Sequence, residues 1–134
     1  MKKTSAVLFI VTLLASAACA GDLTFITRAA NDALGGAQYN AYIDLSTKHM
    51  DGTYTSVKLI SIYDQPVTAG GFKGVKKMVN TFEIDCGRNV KRVLYIGFLD
   101  SNDKLIVDQA YPNAQDEGFG QGTVDTLVKP YLCK

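Results

Sequence analysis

The sequence predicts an α+β fold: an antiparallel meander of about six β-strands, with a short C-terminal helix packed on one face and disulfide-tied to it. Three observations predict it. Most of the chain beyond residue 23 alternates apolar and polar residues with period two, in runs separated by short turns. The C-terminal segment switches to helical spacing, with Val124, Leu127, Val128 and Tyr131 on one stripe. Two cysteines, Cys86 and Cys133, remain once an N-terminal export signal is set aside.

The export signal is read from residues 1–20. Lys2 and Lys3 form a basic start, residues 6–14 an apolar stretch broken only by Thr12, and Ala18-Cys19-Ala20 a small-residue cleavage site. The apolar stretch is shorter than the ~20 residues a membrane-spanning helix needs. Cleavage after Ala20 leaves residues 21–134 as a single domain. Cys19 offers a second reading, as the lipid-bearing first residue of a lipoprotein. Ala17 and Ala18 suit that reading, but Ser16 stands where an apolar residue is usual.

Removing the signal takes away two cations and no acid, so the formal charge of +1 becomes −1. Without a polybasic arm there is no strong pull toward nucleic acid or anionic lipid, and no later segment is apolar enough to span a membrane as a helix.

Residues 24–28 read as a short opening strand. In 39–45, Tyr39, Ala41, Ile43 and Leu45 point one way and Asn40, Tyr42 and Asp44 the other. Residues 54–63 are rich in β-branched and aromatic residues, and their apolar phase slips between Leu59 and Ile60, which calls for a bulge or for burial on both faces. Residues 64–75, with Pro66, Gly70, Gly71 and Gly74, read as a loop. In 76–86, Met78, Phe82, Ile84 and Cys86 share the apolar face. Residues 91–100 return as a hairpin partner with Leu94, Ile96 and Phe98 as the greasier face. After the turn at 101–103, residues 104–109 form the last strand.

Gly118, Gly120 and Gly122 lead into the helix, Thr123 is its N-cap, Asp125 lies in its first turn, and Pro130 should kink or end it. Cys133 lies just beyond. In an oxidising compartment the even cysteine count predicts a Cys86–Cys133 bridge, worth about 4 kcal/mol for a loop of this length.

Several residues resemble a known family when taken in order: Tyr42-Ile43-Asp44 on an early strand, Asp85-Cys86 at a strand end, Arg92, Tyr95 and Gly97 on the return strand, and Gly122-Thr123 opening a helix that closes on Cys133. In this set the chain resembles the bacterial surface-adhesin protein E family over nearly all of residues 21–134. The resemblance implies an exported protein of a Gram-negative bacterium, in the periplasm or on the outer cell surface, that binds host extracellular-matrix or plasma proteins. The chain departs from the family pattern in having no Trp, which relatives often carry before the terminal Gly-Thr segment. A periplasmic role in envelope maintenance or enzyme inhibition is the alternative expectation. Pairing through a sheet edge would give a homodimer.

The chemistry of an enzyme is not legible here, and the chain is expected not to be one. The single histidine, His49, falls in a stretch that reads as a surface turn. Glu83 and Asp85 share a strand face, where the polar side of a half-exposed strand explains them better than acid–base work. The Gly118/Gly120/Gly122 spacing lacks the lysine of a phosphate cradle. The basic groups Lys73, Lys76, Lys77 and Arg88, Lys91, Arg92 should lie at opposite sheet ends, about 30 Å apart. No catalytic residue, cofactor or metal ligand is assigned, and the ligand-binding residues are left open.

Overall fold

The computed structural model describes residues 23–134; the expected export signal, residues 1–20, and Cys19 within it lie outside the described residues. Six strands form one antiparallel sheet in sequence order: β1 (Leu23–Asn31), β2 (Ala37–Asp51), β3 (Tyr54–Ala69), β4 (Phe72–Asp85), β5 (Val90–Leu99) and β6 (Leu105–Ala110). Among the described residues there is one α-helix, α1 (Val124–Leu132), which packs on one face against β1 and β2; a short 3-10 turn, Asp32–Leu34, joins β1 to β2. The meander follows from its connections, because turns this short can only join antiparallel neighbours.

The alternation in β2 is realised from Tyr39 to Asp44; Leu45, expected on the buried face, is 40% exposed where the register with β3 breaks after Asp44. Ala41 and Ile43 are buried beneath the helix with Val57, Leu59, Phe82, Ile84, Val128 and Leu132. Between Leu59 and Ile60 the register runs on unbroken, so the phase slip reflects burial on both faces: Leu59 faces α1 and Ile60 the other side.

The strands are longer than the sequence pattern suggests, and residues 64–75 are not a loop. β3 runs on to Ala69, a two-residue turn at Gly70-Gly71 follows, and Phe72 pairs back with Ala69. Both turn glycines have positive φ, 57° and 83°, the backbone that lets a two-residue turn match the strand twist. Pro66 is tolerated because the register shifts between Ile62 and Val67, where a missing N–H breaks no ladder bond. A second correction concerns β5. A bulge opposite Thr81 and Phe82 places Val93, rather than Leu94, beside Phe82 and against the core. Residues 93–96 are apolar throughout, so periodicity could not reveal the slip.

After β6 the chain returns as a strap, 111–123. The Tyr111 N–H donates to the Leu94 carbonyl at 2.7 Å, and Lys91 and Glu117 exchange backbone bonds of 2.9 and 2.8 Å. The strap thus covers the start of β5, which β6 does not reach. Thr123 has the extended backbone of an N-cap but makes no capping bond, because its hydroxyl donates to the Gly120 carbonyl at 3.0 Å. Asp125 pairs with Lys91 of β5. Pro130 does not end the helix at once; α1 runs to Leu132, and the Cys133 N–H closes on the Lys129 carbonyl at 2.9 Å. Having no N–H, Pro130 leaves out the bond that this position would donate to the Thr126 carbonyl, and the helix stops two residues later. The Cys86–Cys133 disulfide is formed, with Cα atoms 5.6 Å apart, and ties the end of β4 to the end of the helix.

Candidate functional site

The two sides of the sheet differ. Among the described residues, α1 covers one face and no element crosses the other. The open face is organised in rows set by the register, because cross-strand partners share a face.

One row crosses the whole sheet: Phe25, Tyr42, Ile60, Val79, Gly97 and Asp108. Phe25 and Tyr42 meet edge to face at 5.7 Å, and Phe25 is 53% exposed. At Gly97 the Tyr95 ring folds over the backbone and donates from its hydroxyl to Asp108 at 2.9 Å. A Cβ on Gly97 would lie 2.9 Å from that hydroxyl oxygen, so glycine is what allows the ring to lie flat. The Tyr95 hydroxyl titrates above its ordinary value, through burial and then the Asp108 carboxylate.

A second row is polar and closed. His49 pairs with Ser56, Ser56 with Glu83, and Glu83 with Arg92. Ser56 and Glu83 are each 1% exposed. Arg92 Nε donates to Glu83 at 2.7 Å, and the guanidinium carbon sits 3.7 Å above the Tyr54 ring. Arg92 is therefore the lid over a buried carboxylate, stacked on one side and ion-paired on the other.

The end of the sheet carries a linked cluster. The Tyr54 hydroxyl donates to Asp116 of the strap at 2.6 Å, and Arg88 bridges Asp85 at 2.9 Å and Asp116 at 2.8 Å. Asp85 also accepts from the Thr53 hydroxyl at 2.7 Å and the Arg88 backbone N–H at 3.1 Å. These donors, Thr53 first, pull its pKa down from 3.8 to about 2. Asp116 is lowered by the Tyr54 hydroxyl and then by Arg88. At the opposite end Arg28 pairs with Asp64 and donates to Asn40 at 3.1 Å and Gln38 at 2.8 Å.

His49 is not in a turn; it lies on β2, and the turn falls at Gly52-Thr53. Its Nδ1 is 3.1 Å from the Thr47 carbonyl, and Ser56 Oγ lies 3.0 Å from Nδ1 and 3.2 Å from Nε2. This has the outline of a nucleophile and a base. The carboxylate of the row, however, stands on the far side of the serine and is held by Arg92, and the serine is shut off from any acyl group. Glu83 and Asp85, neighbours on one face, are each engaged by a separate arginine, so they do not form an acid–base pair. Lys73, Lys76 and Lys77 lie near the Gly70-Gly71 turn and Arg88, Lys91 and Arg92 at the other end of β4, so the basic residues do not merge into one patch.

Among the described residues no group of three His, Cys, Asp or Glu side chains is arranged to hold a metal, and no helix is long and apolar enough to cross a membrane. The sequence placed Cys86 and Cys133 together, and they are. It missed the Tyr54–Arg92–Glu83 stack and the Asp85–Arg88–Asp116 cluster. Their signal was the i, i+2 acids of β4 opposite the basic start of β5, a cross-strand charge pattern visible only once the register is known.

What the fold and face define is a two-layer α+β module with one sheet face open, an apolar row at its middle and ion pairs around it. No known protein family matches the chain, and neither a curated protein nor a solved structure does.

Proposed function

We propose that this is an exported, non-enzymatic binding protein similar to the surface-adhesin protein E family, acting on host extracellular-matrix or plasma proteins at the cell surface. The observation that carries the reading is the open face. Phe25, Tyr42, Ile60 and Val79 make an apolar centre with Phe25 projecting at its edge, framed by the Arg28–Asp64, Lys77–Asp103 and Arg88–Asp116 pairs. An apolar centre inside a charged rim is the anatomy of a protein interface. The strands beneath it are held rigid by the sheet, so little order is lost on binding. The outer edge of β1 adds a nine-residue strand with exposed Leu23 and Phe25, to which a partner strand or a second copy would pair.

The test is adhesion of intact cells to immobilised matrix and plasma proteins, comparing the parent strain, a deletion strain and a Phe25→Glu strain, together with protease shaving and mass analysis of the mature N-terminus. The expected result is loss of adhesion in the deletion strain and in Phe25→Glu, with shaving of a surface-exposed chain that starts at Gly21. Equal adhesion by all three strains overturns the adhesin reading. Protection from protease, with release in the periplasmic fraction, moves the protein to the envelope role. A diacylated Cys19 makes it a lipoprotein.

A further inference from the structure

The open face has a second feature, which shares Val79 with the apolar row but extends from it toward β6, and which does not rest on the adhesin reading. Beside Tyr95 a trough of about 470 Å³ runs obliquely across β3 to β6, lined by Lys58, Val79, Thr81, Tyr95, Leu99 and Leu105. Its charge is unusual. The cations at register positions on this face are Arg28, Lys58, Lys77 and Arg92. Arg28 pairs with Asp64, Lys77 with Asp103 and Arg92 with Glu83. Lys58 has no ion-pair partner among the described residues. Its cross-strand neighbour is an acid, Asp44, but that carboxylate is turned back onto its own strand, accepting from the Ser46 N–H at 3.1 Å and the Ser46 hydroxyl at 2.5 Å. The lysine is left at one end of a greasy trough.

We propose that this trough binds a free long-chain carboxylate, with the acid group on Lys58 Nζ and the chain over Val79, Leu99 and Leu105. The charge at one end and the apolar floor beyond it name the ligand chemistry: one anionic head and an unbranched apolar tail. The Thr81 hydroxyl, on the strand beside Lys58, faces the same head group. The dimensions agree. Lys58 on β3 and Leu105 on β6 are three inter-strand spacings apart, about 14 Å, and their rows are offset by four residues along the strands, so the diagonal is about 20 Å. One acyl chain of a bilayer reaches about half of the ~30 Å hydrocarbon core, so such a chain fits within the trough. Two further acids lie near the trough, both away from Lys58: Asp103, paired with Lys77 at the Leu105 end, and Asp108 on β6, three strands from Lys58, which accepts from the Tyr95 hydroxyl. The head is therefore drawn to the Lys58 end. Leu105 is 52% exposed, which gives the tail uncovered apolar surface to bury.

The experiment is an amide and methyl NMR titration of the disulfide-intact chain with dodecanoate below its micelle concentration, with dodecanol and dodecyltrimethylammonium as matched neutral and cationic probes. Shifts are expected at residues 58, 79, 81, 95, 99 and 105 with dodecanoate, and much weaker ones with the other two. Lys58→Met should weaken dodecanoate binding about tenfold, the loss expected for one charge-assisted hydrogen bond. Leu105→Ser should weaken it through the tail. Both side chains are exposed, so both variants fold. Equal binding of the neutral or cationic chain, or unchanged binding in Lys58→Met, overturns the proposal. So does perturbation by phosphatidylglycerol vesicles but not by the free acid, which would make a bilayer the occupant. The same shifts on concentrating the protein alone would make it a second copy of the chain and also overturn the proposal. Adhesion is read in a different assay, so each idea can fail without the other.

Discussion

Strand β4 closes the molecule in two ways at once. Phe82 and Ile84 face α1 and are sealed by Val128 and Leu132; Glu83 and Asp85, between and beside them, face the other way and are sealed by arginines and a tyrosine. All four residues of β4 are buried. The covered face is closed by a separate element held on by a disulfide, and its stabilisation is non-directional burial of apolar area. The open face has no such cover. It shields its carboxylates with ion pairs and a stacked ring, which work only when each partner is in place. The apolar side therefore depends on an element staying attached, whereas the polar side depends on individual side chains.

The largest effect should come from detaching the cover. Cys86→Ser with Cys133→Ser removes a cross-link spanning 47 residues, and chain entropy puts the loss at about 4 kcal/mol. Urea unfolding followed by circular dichroism measures it, and amide shifts should change around Val128 and Ile84 far more than around Arg92. Equal changes on both faces would break the contrast drawn between them.

Next comes the lid of the polar face. Arg92→Met leaves Glu83 buried without its cation and should cost about 3 kcal/mol, discounted for the partial exposure of the arginine. Adding Glu83→Leu should recover most of that loss, since an apolar pair no longer needs charge compensation. If the double variant is no more stable than Arg92→Met alone, the pair is not the seal.

A smaller effect is expected at Gly97. A methyl there displaces the Tyr95 ring and weakens its bond to Asp108, at a cost of about 1 kcal/mol. In a Tyr95→Ala background the same substitution should cost nothing further, and a double-mutant cycle reads this coupling. Strict additivity would mean that the ring does not depend on the glycine.

The last prediction is a change of slope. Asp85 is held at about 2 in the folded chain, against an ordinary 3.8. The unfolded chain binds that proton more tightly, so the stabilisation is complete above pH ~4 and is lost as pH falls toward ~2. Acid unfolding monitored across this window should be less steep in Asp85→Asn than in the parent, and Thr53→Val should shift it in the same sense. An unchanged slope would mean that the Thr53 and Arg88 donors do not act on Asp85.

Legibility from the sequence differed along the chain for a physical reason. β2 was readable because one of its faces is dry and the other wet from Tyr39 to Asp44. Residues 64–75 misled because Pro66 and the glycines punctuate as a loop does, while cross-strand pairing with β4 holds them extended. His49 misled in the same way, its apparent turn being absorbed into a strand that β3 extends. The open face was the least legible part: Tyr54, Glu83, Arg92 and Asp116 come from three strands and the strap, and no spacing along the chain brings them together.

The local pattern alone determined the number of strands, their antiparallel order, the terminal helix and the pairing of Cys86 with Cys133, because periodicity, short turns and cysteine parity are properties of neighbouring residues or of simple counts. Only the tertiary structure decided which residues face one another across the sheet. The Arg92 lid, the Asp85 cluster and the unpaired Lys58 are consequences of register, and register is set by bulges at Ile26 and Leu94 and by the Gly70-Gly71 turn acting over distances that no sequence window spans.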